Sequence, residues 1–165
     1  MRRLTVNAVL VSDISKLSIG QAKYTMICAK DGGIIDDLIV YRLASENFLV
    51  IANASNRKAV VDALRDRKSS FEASVDDQSD DWALIAIQGP KATGILQKLT
   101  DAALAELKYY SIATGTVAGS RAYLCRTGYT GERGYEIFCR GQDAGHIWDS
   151  ILSEGAAMGI IPCRF

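Results

Sequence analysis

The chain has 165 residues, 48% of them hydrophobic and 23% charged, which is an ordinary globular composition for one domain or two small ones. Its 19 basic and 19 acidic side chains cancel to a net charge of zero, which removes the usual electrostatic case for nucleic acid or a membrane surface. The sequence holds no apolar run of the length that crosses a bilayer.

The start, MRRLTVNAVLVSD, joins two arginines to a short apolar run without an A-x-A-like cleavage site. It reads as an element whose partners lie further upstream, not as an export signal. AKYTMICAKDGGIIDDLIVYRL predicts two strands joined across residues 30–33, where Asp-Gly-Gly supplies the positive φ angles of a tight hairpin. NFLVIAN, residues 47–53, is a third strand. SNRKAVVDALRDRKSS predicts a helix, with Ala59, Val60, Ala63 and Leu64 as its stripe and Ser55 as its N-cap. FEASVDD predicts a short strand.

Residues 77–81 are polar and mark a soft boundary between 1–76 and 82–165. WALIAIQGP predicts a buried strand stopped by Gly89-Pro90. KATGILQKLTDAALAEL predicts a helix broken near Thr100-Asp101. Several strands separated by glycine turns follow, and QDAGHIWDSILSEGAAMG closes the chain as an amphipathic helix with Ile147, Ile151 and Leu152 inward. Hairpins, then helices, then more hairpins give an α+β class with largely antiparallel sheets and packed helices.

Two features stand out against that background. Asp36 and Asp37 are adjacent within an Ile-, Leu- and Val-rich strand, so they point to opposite faces. Both faces are mostly apolar and are expected to be covered, where an ionised carboxylate needs a donor, a cation or a ligand. The second feature is TGYTGERGYE, residues 127–136, with glycines at 128, 131 and 134. No G-K-[ST] follows, and the spacing is not that of a dinucleotide fingerprint. By spacing alone it is a glycine-rich hairpin connection.

Its flanks add Tyr129, a flat ring on a loop, and Glu136, an acid at the start of an apolar strand. Asp37 and Glu136 as acceptors, with Tyr24, Tyr41 and Tyr129 as flat surface, suit a planar, nitrogen-rich ligand. Core packing is the competing reading for each tyrosine. Cys28, Cys125 and Cys139 fall in strands and read as reduced, buried thiols, so the default location is cytoplasmic. No C-x-x-C pair accompanies the lone His146, and no metal site is expected.

GQAKYTMICAKDGGIIDDLIVYRL, IAIQGPKA and YYSIATGTVAG followed by SRAYLCRTGYTGERGYEIFC, in that order, closely resemble the glycine cleavage system T-protein family. The resemblance runs from about Leu10 to Pro162. It implies the central part of the T-protein folate-binding fold, with 1–76 as part of a first folate-binding subdomain and 82–165 as a second α+β subdomain. It also implies a reaction. The methylene carbon of an aminomethyl group on the lipoyl arm of H-protein passes to tetrahydrofolate, a co-substrate, with release of ammonia.

Asp37 matches the family's catalytic carboxylate. Glu136 matches the acid that holds the pterin N–H edge, Tyr129 a pterin-packing tyrosine, and Tyr24 and Tyr41 pocket-lining positions. Asp36 takes a structural role on the opposite face. If the source is a eukaryote, the implied location is the mitochondrial matrix.

The family's D-x-S-H-type segment is expected upstream of LVSDISKLSIGQAKYT, and a G-L-G-A-R-D stretch after PCG. Here neither segment occurs, and the sequence ends in IIPCRF. A chain shortened at both ends is therefore expected to have weak or no turnover alone and to expose surfaces that favour self-association. Two alternatives stand beside the transferase. One is a non-catalytic folate-binding relative, whose K-G-C-Y-x-G-Q-E-like motif does not occur here. The other is a folded remnant that binds no ligand.

Overall fold

The computed structural model describes residues 3–68 and 71–163, with side chains from Val6 onward. The chain divides into two compact units, Met1–Asp77 and Gln78–Phe165.

The first unit opens with helix α1 (Arg3–Val9). The hairpin strands β1 (Ala22–Cys28) and β2 (Ile34–Ala44) follow, then β3 (Asn47–Ile51) and helix α2 (Arg57–Arg67). The sheet order is β1-β2-β3, all antiparallel. Gly32 takes φ +90° in the β1–β2 turn, as the Asp-Gly-Gly sequence requires. Alternation along β2 sends Asp36, Leu38 and Val40 to the buried face. There Leu38 and Val40 join Val6, Ile14, Ile27, Val60 and Leu64 in one core.

The second unit carries β4 (Trp82–Gln88), a short helix α3 (Ala92–Leu96), β5 (Ile112–Val117), β6 (Ser120–Cys125), β7 (Gly134–Arg140) and helix α4 (Ala144–Gly155). Its antiparallel sheet has the order β4-β7-β6-β5. Ile85, Leu124, Tyr135, Ile137 and Cys139 face a core shared with Leu96, Ile147 and Ile151 of the helices.

The α+β class stands, and four local expectations change. Residues 71–77 form no strand. They run as an irregular segment on which Val75 packs against the core and Asp77 pairs with Arg57 at 3.0 Å. The helix predicted from Lys91 onward stops at Leu96. Gln97 then binds Ala102 O (2.9 Å) and Leu104 N (3.1 Å), while Asp101 accepts from Thr116 N (2.7 Å), so side chains fasten a series of turns instead. β4 is not buried on both faces, because it is an edge strand with one covered side, and Leu84 is exposed. Finally, α2 takes Asn56 rather than Ser55 as its N-cap, and Ser69 and Ser70 of the predicted helix lie outside the described residues.

All four cysteines are free thiols. Cys125 and Cys139 are buried, Cys28 is partly covered and Cys163 is exposed. Among the described residues no helix is long and apolar enough to cross a membrane.

Candidate functional site

β3 ends opposite Ile39, so Asp36 and Asp37 lie beyond its last paired residue. The chain after β3 curls back over this gap through Asn53 and a turn of 3-10 helix, Ala54–Asn56. The buried Asp36 carboxylate therefore meets donors of its own fold. Asn53 N donates to Oδ2 (2.9 Å), and Asn53 Nδ2 (2.9 Å) and Asn56 Nδ2 (2.6 Å) both donate to Oδ1. Asn53 and Asn56 are the N-caps of the 3-10 turn and of α2, yet neither caps with its side chain. Both amides are diverted to Asp36, which forgoes capping bonds of about 1 kcal/mol each in favour of a buried, charge-assisted network. The structural role expected of Asp36 is what the geometry shows.

Asp37 differs. Its carboxylate is exposed, contrary to the expectation of a covered position, although the same face of β2 runs on to a wholly buried Tyr41. On β1, Tyr24 pairs with Ile39 and Met26 with Asp37, so Tyr24 and Asp37 are diagonal neighbours on one face. Tyr24 Oη donates to Asp37 Oδ2 at 2.7 Å, and Asn53 Nδ2 donates to Oδ1 at 2.9 Å. The Tyr24 bond is the largest influence on the Asp37 carboxyl. It outweighs the opposing desolvation, the next largest influence, and with smaller help from the backbone and Asn53 it holds the group below the usual carboxylate range. The result is an anion fixed at both oxygens and open to solvent. Tyr24 is half-exposed beside it, whereas Tyr41, further along β2, is wholly buried.

In the second unit Glu136 lies opposite Cys125 of β6 and Ala86 of β4, half-buried on the face away from the core. Thr127, buried two residues beyond Cys125, donates its hydroxyl to Glu136 Oε2 in a short hydrogen bond. Tyr129 stands 82% exposed on the loop between β6 and β7. A cleft of about 320 Å³ opens along this loop, lined among others by Tyr109, Arg126, Thr127, Glu132 and Arg133.

Sequence reasoning missed Tyr110. It holds φ +57°, a left-handed conformation rare outside glycine, and its ring stacks edge-on against Tyr109 at 4.7 Å. Burial first, then Tyr109 and the Glu136 carboxylate, push the Tyr110 phenol above its ordinary value. No composition or period signals a strained tyrosine, so only the backbone discloses it. Asn53 was likewise read only as the end of a strand. The five sequence candidates thus fall in two groups, Tyr24, Asp37 and Tyr41 in the first unit and Tyr129 and Glu136 in the second. Among the described residues no group of three or more His, Cys, Asp or Glu side chains is placed to hold a metal ion.

The chain thus consists of two antiparallel α+β units, one presenting an anchored anion and the other a glycine loop beside a half-buried carboxylate. The family model described as the GCVT N-terminal domain matches residues 3–164, and the chain belongs to that family. It is 52% identical to an aminomethyltransferase of Streptomyces avermitilis over 96% of this chain and 42% of that protein. An aminomethyltransferase of Bacillus subtilis is 44% identical over 93% of this chain and 42% of its own length.

Among solved structures, the glycine cleavage system aminomethyltransferase T of Bartonella henselae superposes with a TM-score of 0.83 at 31% identity, over 92% of this chain and 41% of that one. A heterotetrameric sarcosine oxidase of Corynebacterium shares the fold alone, at 19% identity and a TM-score of 0.65 over 89% of this chain and 69% of that one. The chain spans about two-fifths of the length of the aminomethyltransferases it matches.

Proposed function

We propose that this chain supplies folate-binding and catalytic residues of a glycine-cleavage aminomethyltransferase. In that reaction an aminomethyl group on the lipoyl arm of H-protein loses ammonia, its methylene carbon bridges two nitrogens of tetrahydrofolate, and dihydrolipoyl H-protein is left. The observation that carries the reading is Asp37, an exposed carboxylate fixed by Tyr24 and Asn53 and held below the usual carboxylate range. The family match supports it.

Such a group is ionised at neutral pH. It is a poor store for a proton but a good hydrogen-bond acceptor for a folate N–H and a good partner for positive charge developing on the one-carbon unit. Glu136, with one oxygen already accepting from Thr127, is suited to the amidine-like N–H edge of a pterin. Tyr129 offers its ring as a stacking surface, and Tyr24 reaches the ligand through Asp37. The wholly buried Tyr41 shares the Asp37 face of β2 and serves the site as a lining residue further along the strand. The setting is the cytoplasm, or the mitochondrial matrix in a eukaryote.

Titration of tetrahydrofolate into the full chain under reducing conditions, beside Asp37→Asn and Glu136→Ala, tests the reading. Binding by the parent chain and its loss in Glu136→Ala are expected. Asp37→Asn is expected to bind and to give no methylenetetrahydrofolate when H-protein and complementing parts of the enzyme are supplied. Binding without any turnover in the parent chain would favour a non-catalytic folate protein. No binding at millimolar folate would leave a fold without its ligand and overturn the proposal.

A further inference from the structure

The first and last glycines of TGYTGERGYE make room for a side chain from another strand. Gln88 closes β4 directly opposite Gly134 of β7, and Gly89 N donates to Arg133 O at 2.9 Å, so the ladder holds the Gln88 backbone on both sides. A Cβ on Gly134 would come within 2.7 Å of Gln88 Nε2 and nearer still to Oε1, and one on Gly128 within 2.8 Å of Gln88 Cδ. Real Cβ atoms essentially never come so close, so a side chain at either position would displace the Gln88 carboxamide from where it lies.

That carboxamide binds three points of the loop. Nε2 donates to Thr127 O and to Tyr135 O, each at 3.2 Å, and Oε1 accepts weakly from Thr130 Oγ1 at 3.4 Å. The chemistry fixes the orientation, since a reversed amide would set its oxygen against two carbonyl oxygens. Both ends and the middle of residues 127–135 are thereby tied to the edge of the sheet.

We infer that Gln88 is a positioning residue for the ligand loop. It holds Thr127 where the hydroxyl meets Glu136, and it restrains the segment that carries Tyr129. Its consequence for ligand rests on the folate reading above, while its hold on the loop does not. Glutamine alone among similar side chains meets the geometry. Glutamate would face two carbonyl oxygens with a charge, leucine would leave both carbonyls without a donor, and asparagine is one methylene short.

The test uses the full chain with Gln88→Glu, Gly134→Ala and the double variant Gly134→Ala/Gln88→Ala. Thermal melting, amide hydrogen exchange and tetrahydrofolate titration are read on each. Gln88→Glu is expected to speed exchange at residues 128–133 by about ten-fold while β1–β3 and β5 keep their protection, and to weaken tetrahydrofolate by about ten-fold. Gly134→Ala should lower the melting temperature, because its methyl group collides with Gln88. The double variant should recover the melting temperature and keep both the fast loop exchange and the weak binding.

Parent-like loop exchange in Gln88→Glu, or recovery of affinity along with melting temperature in the double variant, would reduce Gln88 to packing and overturn the inference. If the parent chain itself binds no folate, the folate reading fails, and the exchange rates alone decide whether Gln88 holds the loop.

Discussion

Asn53 bridges the two adjacent aspartates: its side-chain amide donates to Asp36 Oδ1 and to Asp37 Oδ1, each at 2.9 Å. A buried carboxylate thus orients the donor that steadies an exposed one. Asp36→Ala would strip three donors of their acceptor in a covered site, with an expected loss of about 3 kcal/mol of stability. Asn53→Ala leaves Asp36 with Asn56 and the residue-53 amide N–H, so its loss should be smaller, about 1–2 kcal/mol. Urea unfolding of the two variants beside the parent checks both size and order.

The Tyr24 hydroxyl is the foremost reason that Asp37 titrates low. Tyr24→Phe keeps the ring and deletes that donor. The Asp37 midpoint should then rise toward the usual carboxylate range, followed by carbon-13 shifts of the labelled carboxyl group. The fold should be little affected, because the bond is exposed. An unmoved midpoint would assign the low value to Asn53 instead.

Thr127→Val preserves volume and shape while removing the hydroxyl that donates to Glu136. The carboxylate then loses a charge-assisted bond and the rotamer it enforces. Tetrahydrofolate affinity should fall by about ten-fold, equivalent to about 1.4 kcal/mol, and Glu136→Ala should fall further. Calorimetric titration ranks the three proteins, and equal affinities for Thr127→Val and parent would separate Thr127 from the site.

Periodicity made the strands and the last helix legible, because alternation in IIDDLIV and the Ile147–Ile151 stripe are local signals. The turn at Gly32 was legible for the same reason: glycine answers a local backbone demand. Alternation also separated Asp36 from Asp37. It could not say which of the two was exposed, since that depends on what packs against the sheet. The failed helix after Leu96 shows the same limit, because Ala, Leu and Glu favour a helix while Gln97 bonds the backbone of the turns and Asp101 reaches the more distant Thr116, neither of which periodicity registers. The roles of Asn53, Tyr110 and Gln88 depend on long-range contacts, and their residue types alone carried no sign of them. Tyr129 and Glu136 entered the candidate site through flanking chemistry and a resemblance, and Gly128 and Gly134 are accounted for by the Gln88 side chain rather than by a phosphate.

Acid sensitivity follows from three carboxylates that share one cause. The Asp13 carboxyl is lowered chiefly by Ser15, that of Asp37 by Tyr24, and that of Asp101 by the Thr116 amide. Each folded pKa lies below its unfolded value, so each group contributes stability that is fully present above the ordinary carboxylate pKa. That contribution is lost as pH falls through the folded value. The melting temperature should therefore be flat through neutral pH with respect to these groups and should drop below about pH 4. All three side chains are open to solvent, so each share is small. Asp101→Asn isolates one of them: it keeps an oxygen for the Thr116 N–H and cannot titrate. The variant should lose some stability at pH 7 and show a shallower fall on the acid side, measured as melting temperature from about pH 7 to about pH 2.5 at fixed ionic strength. A parent-like acid slope would mean that the Thr116 bond survives protonation of Asp101, with the acid sensitivity lying in the other two carboxylates.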